Sequence, residues 1–89
     1  MSAFLVSYDL DKPGQDYADL IAALKKVGAV KLLYSQWGLI TTSTAVQIRD
    51  YLKQFIDGND RLLVVELSGQ VAWYNVMIST DALQKLIAA

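Results

Sequence analysis

The chain has 89 residues, 54% hydrophobic and 19% charged, with eight Lys and Arg against nine Asp and Glu for a net charge of −1. It contains neither histidine nor cysteine. That composition excludes a disulfide framework, a thiolate metal site, a Cys nucleophile, an imidazole general base and a His-dependent triad, leaving carboxylates, hydroxyls, Lys and Arg for any chemistry. The near balance of charge also argues against a strongly basic nucleic-acid binder, although a local basic patch stays open. No apolar run reaches membrane-spanning length, and the N-terminus lacks the basic-then-apolar layout of a signal peptide, so a soluble cytoplasmic protein without a membrane partner is expected. The length suits a single domain over residues 1–89.

Ala3 to Leu10 alternates Phe4, Val6, Tyr8 and Leu10 with Ala3, Leu5, Ser7 and Asp9, so both faces are mainly apolar until Asp9. A strand of this kind belongs inside a sheet and is covered on both sides. Asp11-Lys12-Pro13-Gly14 has turn chemistry, because Pro sets one dihedral and Gly permits the next. From Asp16 the pattern turns helical, with Tyr17, Leu20, Ile21 and Leu24 as the buried stripe and Lys25, Lys26 and Gly28 closing the helix near Val27.

Val30 to Ser35 reads as a second strand, Gln36 as a bend, and Trp37 to Thr42 as a third strand. The connection is short enough only for an antiparallel hairpin. Thr44 with Gln47 three residues on is a capping-box signature opening a second helix, whose inner stripe is Ile48, Tyr51, Leu52 and Phe55. Asp57-Gly58-Asn59-Asp60 then turns the chain into a fourth strand, Arg61 to Leu67. Beyond Ser68-Gly69, Gln70 to Val76 reads as a shorter fifth strand, and Thr80 caps a terminal helix with Leu83, Leu86 and Ile87.

This order predicts an α+β class, with a ferredoxin-like βαββαβ arrangement and an additional short C-terminal strand and helix. The first and third strands would be central and the first two helices would share one face. The opposite face would be bare, exposing Leu5, Leu33, Ile40 and residues of strand four. So apolar a chain would then meet its copy sheet to sheet, as a homodimer.

Asp9 and, to a lesser degree, Glu66 are the carboxylates set among apolar residues. A two-fold axis could bring Asp9 near its own copy, where the pair would share a proton, stay apart or hold a cation. Oxygen ligands suit Mg²⁺ or Mn²⁺, which could support phosphoryl chemistry. The plainer reading is that Asp9 only starts the following turn.

Ser7-Tyr8-Asp9-Leu10, Tyr34-Ser35-Gln36-Trp37 and Asn59-Asp60-Arg61-Leu62-Leu63-Val64-Val65 together resemble the small CRISPR-associated endoribonuclease family, the partner of the spacer integrase. The likeness is nearest to its SinR-like and VapD-type relatives. The resemblance implies a homodimer whose last strand crosses to the partner, and Asp9 holding a shared Mg²⁺. It also implies Ser7 and Ser35 positioning water or phosphate, and Arg61 steadying the scissile group. Trp37 stands where an aromatic residue follows the hairpin serine, and Lys31 lies near a position where family members often carry arginine. The function expected is a Mg²⁺-dependent nuclease acting on RNA or DNA, and the alternative is a non-catalytic homodimeric module that docks a protein partner. Trp73 and Tyr74 could stack on bases or fill the dimer seam.

Overall fold

The structure is a computed structural model that describes residues 1–10 and 17–89. The turn expected at Asp11 to Gly14 and the helix start at Asp16 lie outside the described residues. Four strands form one antiparallel sheet in the order β2-β3-β1-β4, with β1 at Ser2–Asp9, β2 at Val30–Leu33, β3 at Gln36–Thr41 and β4 at Arg61–Glu66. The class is α+β, and the first and third strands are central, as their apolar faces require. Helices α1 (Ala18–Lys26), α2 (Ala45–Lys53) and α3 (Thr80–Ile87) complete the described elements.

The termini of the first two helices follow from local chemistry. Lys25 and Lys26 occupy the last turn of α1, where cations favour the helix dipole. Gly28 then takes φ +84° and donates its N–H to the Lys25 carbonyl, closing the helix. The Thr44 hydroxyl accepts from the Gln47 N–H while the Gln47 side chain accepts from the Thr44 N–H, so the capping box opens α2 as its spacing predicts.

The principal core lies between α1, α2 and one sheet face, where Phe4, Val6, Tyr8, Trp37 and Leu39 meet Leu20, Leu24, Ile48 and Leu52. Each such Leu or Phe contributes about 1.5–3 kcal/mol of burial, which makes this cluster the main source of cohesion. Its one internal polar chain is satisfied: Trp37 Nε1 donates to the Tyr8 hydroxyl at 3.1 Å, and that hydroxyl donates to the Tyr34 carbonyl at 3.4 Å.

The second face departs from expectation. Rather than lying bare, it is partly covered by α3 and the segment before it, with Ala3, Leu32, Leu83 and Leu86 buried and Leu5, Leu67, Trp73, Val76 and Ile78 packed around them. Gln70 to Val76 forms no strand, so Trp73 belongs to this cover while Tyr74 stays exposed. Gly69, at φ +84°, turns the chain after β4, and the following segment runs back over the sheet.

Smaller shifts have local causes. The hairpin turns at Tyr34-Ser35, not at Gln36, which pairs with Ser7 as the first residue of β3. Val30 pairs with Gly38, so alternation sets Leu32 on the second face, and the register shift between Lys31 and Leu33 brings Leu33 opposite Gln36 on that face as well. Ser79, one residue before Thr80, caps α3 by accepting from the Ala82 N–H.

Candidate functional site

The end of β1 carries the residues that the sequence singles out. Ser7, Asp9 and Arg61 fall on one face because Ser7 pairs with Leu63 and Asp9 with Arg61 across the β1–β4 ladder, and side chains repeat every second residue. With Tyr8, Leu62 and Leu63 they line a shallow depression of about 180 Å³. Asp9 and Arg61 are both exposed, so water screens their charges and the setting is less apolar than the sequence suggests. Glu66, at the other end of β4, is exposed as well.

Ser35 stands apart from this group. It is exposed in the hairpin on the β3 side of β1, where its carbonyl accepts from the Tyr8 N–H at 3.1 Å, and it does not line the depression. Gln36 bridges toward the group by donating from Nε2 to the Ser7 hydroxyl at 3.4 Å. Lys31, the other basic residue of interest, lies over the rings of Tyr34 at 5.4 Å and Trp37 at 5.9 Å. That placement gives it a packing role at the hairpin.

Among the described residues the donor set for a divalent cation is sparse. No group of three or more His, Cys, Asp or Glu converges among the described residues, and the cross-strand neighbour of Asp9 is itself a cation. Mg²⁺ keeps several waters and takes one or two carboxylates, and among the described residues one carboxylate, facing an arginine, stands here. What the arrangement can do unaided is hold an anion at Arg61 with the Ser7 hydroxyl on the same face.

One feature went unread in the sequence. The phenol of Tyr8 joins Trp37 to the hairpin carbonyl, although Tyr8 reads only as one more apolar residue of β1. Leu63, 60% exposed, and Val65, 40% exposed, form an apolar strip on the face shared with Asp9 and Arg61, and Ile40 is exposed on the same face beyond β1. The exposure of Ile40 and of strand-four residues on that face was expected from the sequence, and how much of the face stays uncovered depends on where the C-terminal segment packs.

No protein-family model matches the chain. Among solved structures, the chain is similar to the crystal structure of a hypothetical protein, TT1823, from Thermus thermophilus. The TM-score is 0.66 at 22% identity, covering 84% of this chain and 92% of that one. The likeness extends to the fold.

Proposed function

We propose that this chain is a ferredoxin-like domain that works in the cytoplasm as a homodimeric protein-interaction module. The observation that carries the reading is the apolar strip of Leu63 and Val65, which remains exposed where α3 and the segment before it cover only part of the second face. In a chain this small, large aliphatic side chains left beside a sheet edge favour association with a second copy. No helix among the described residues is long and apolar enough to cross a membrane, so a bilayer-spanning role does not account for the surplus. Light scattering across a dilution series tests the proposal. A dimer mass that persists into the micromolar range, and falls to the monomer for Leu63→Glu, is the expected result, whereas a wild-type monomer throughout would overturn it.

A second reading rests on the depression that joins Ser7, Asp9 and Arg61. It is the nuclease reading carried by the resemblance to CRISPR-associated endoribonucleases, with Arg61 binding a phosphate and a Mg²⁺ or Mn²⁺ drawing a second carboxylate from another copy. Incubation of wild type and Asp9→Asn with single-stranded RNA and duplex DNA, with and without Mg²⁺, decides it. Cleavage that requires both Mg²⁺ and Asp9 supports this reading; equal rates for the two proteins remove Asp9 from it.

A further inference from the structure

The two edges of the sheet are not equivalent. Along β2, the outer edge is engaged by the C-terminal segment, through the Met77 N–H donating to the Leu32 carbonyl at 2.9 Å. Along β4, among the described residues, no strand lies beyond the outer edge. Between Arg61 and Glu66, the charged residues at its two ends, the edge of β4 carries no proline, lysine or bulge to blunt such a template.

The hydrogen-bond phase shows which groups are free to pair. Leu67 donates to the Ala3 carbonyl at 2.8 Å, in the same register that sets Leu5 opposite Val65 and Ser7 opposite Leu63. In an antiparallel ladder the residues of such pairs turn their N–H and C=O toward each other, and the alternate residues turn theirs away. The odd positions of β4 are therefore spent on β1. Leu62, Val64 and Glu66 point their main-chain groups outward.

We infer that a second copy of this chain pairs with that edge, β4 against β4, about a two-fold axis through Val64, making one continuous eight-stranded sheet. The inference deepens the homodimer reading and rests on it. A two-fold axis perpendicular to the sheet keeps each face continuous, so only registers that match residues of the same parity are allowed. Centring on Val64 pairs it with its copy and Leu62 with Glu66 twice, which engages every outward group of the strand. Centring on Leu63 instead would call on Asp60, whose N–H already donates to the Asp57 carbonyl, and would set Asp60 against Glu66.

Side chains agree with the Val64 register on both faces. On the exposed face Leu63 of each copy stands opposite Val65 of the other, which joins the two apolar strips into one. On the helical face Glu66 of each copy arrives beside Leu62, at a groove lined by Leu62, Ile56, Arg49 and Lys53 together with Asp57 and Asp60. Asp60 is engaged by the Tyr17 hydroxyl and the Asp57 N–H, and Arg49 lies 2.9 Å from Asp50, which leaves Lys53 as the cation best placed for the arriving carboxylate. The same geometry separates the two Asp9 residues by roughly 25 Å, from strand rise and spacing, so this dimer holds no cation shared between them.

Two variants test the pairing. Val64→Pro removes an outward N–H and leaves the β1 ladder intact, so a folded monomer by circular dichroism and light scattering is expected. Because the chain has no cysteine, a mixture of Leu63→Cys and Val65→Cys chains reports the register independently of whether the proline variant folds. Mild oxidation should give the mixed disulfide in excess over either self-linked dimer. A Val64→Pro dimer, or preferential self-linking of Leu63→Cys, would overturn the edge pairing while leaving a homodimer in place. A wild-type monomer would instead remove the reading on which it rests.

Discussion

Leu86 of α3 rests where a side chain on Gly38 of β3 would have to stand, with its Cδ1 at 3.3 Å from that position and Leu32 Cδ1 at 3.4 Å. The bare backbone at Gly38 is the notch into which α3 seats, and it determines how the second face is covered. The alanine variant has only the flexible end of Leu86 to displace and should lose less than about 1 kcal/mol, whereas Gly38→Val crowds Leu32 as well and should cost about 1–3 kcal/mol. Urea unfolding monitored by fluorescence checks both; a valine variant as stable as the parent would mean that α3 does not seat there.

The buried pair of Tyr8 and Trp37 gives a second prediction. Tyr8→Phe leaves the indole N–H of Trp37, a buried residue, without its acceptor, for a loss of about 1–3 kcal/mol. Removing both groups with Tyr8→Phe and Trp37→Phe should cost less than the sum of the single changes after allowance for the smaller ring. Additive single and double variants in a thermal-unfolding cycle would show that the bond contributes nothing.

The cap of α3 should be separable from its packing. Ser79→Ala removes the acceptor for the Ala82 N–H and is expected to cost about 1 kcal/mol. Because α3 covers the second face, the loss should appear as local opening: faster amide exchange in α3 while β1 and β3 keep their protection. Uniform acceleration over the whole chain would contradict a separately opening cover.

Charge reversal probes the inferred interface. Glu66→Lys places a cation against Lys53 of the other copy and should weaken association roughly 3–10-fold, the scale of an exposed ion pair reversed in sign. Added salt should narrow the difference, and Glu66→Lys combined with Lys53→Glu should restore much of the affinity. Sedimentation equilibrium supplies the constants. Identical constants for Glu66→Lys and wild type would place Glu66 away from the contact.

Much of the fold was legible because local chemistry dictated it. The alternation of β1, the Gly28 stop, the Thr44–Gln47 box and the turn before Arg61 all stand where their residues put them. The misreadings share one cause. Whether Gln70 to Val76 pairs along an edge or crosses a face depends on contacts distant in sequence, such as Met77 with Leu32 and Leu86 over Gly38. The apolar and aromatic residues of that segment, Val71, Trp73, Tyr74 and Val76, suit either outcome. At the candidate site, Ser7, Asp9 and Arg61 were grouped by resemblance, and it is the β1–β4 register that sets them on one face. Ser35 was grouped with them by resemblance, and the intervening width of β1 keeps it outside the depression.

The central claim concerns the outward main-chain groups of β4, and amide hydrogen exchange reads them one residue at a time. If two copies pair through Val64, the N–H groups of Leu62, Val64 and Glu66 should be protected along with those of Leu63 and Val65 in concentrated solution, and should lose that protection selectively on dilution. Free exchange of those three amides at concentrations where Leu63 and Val65 remain protected would contradict it.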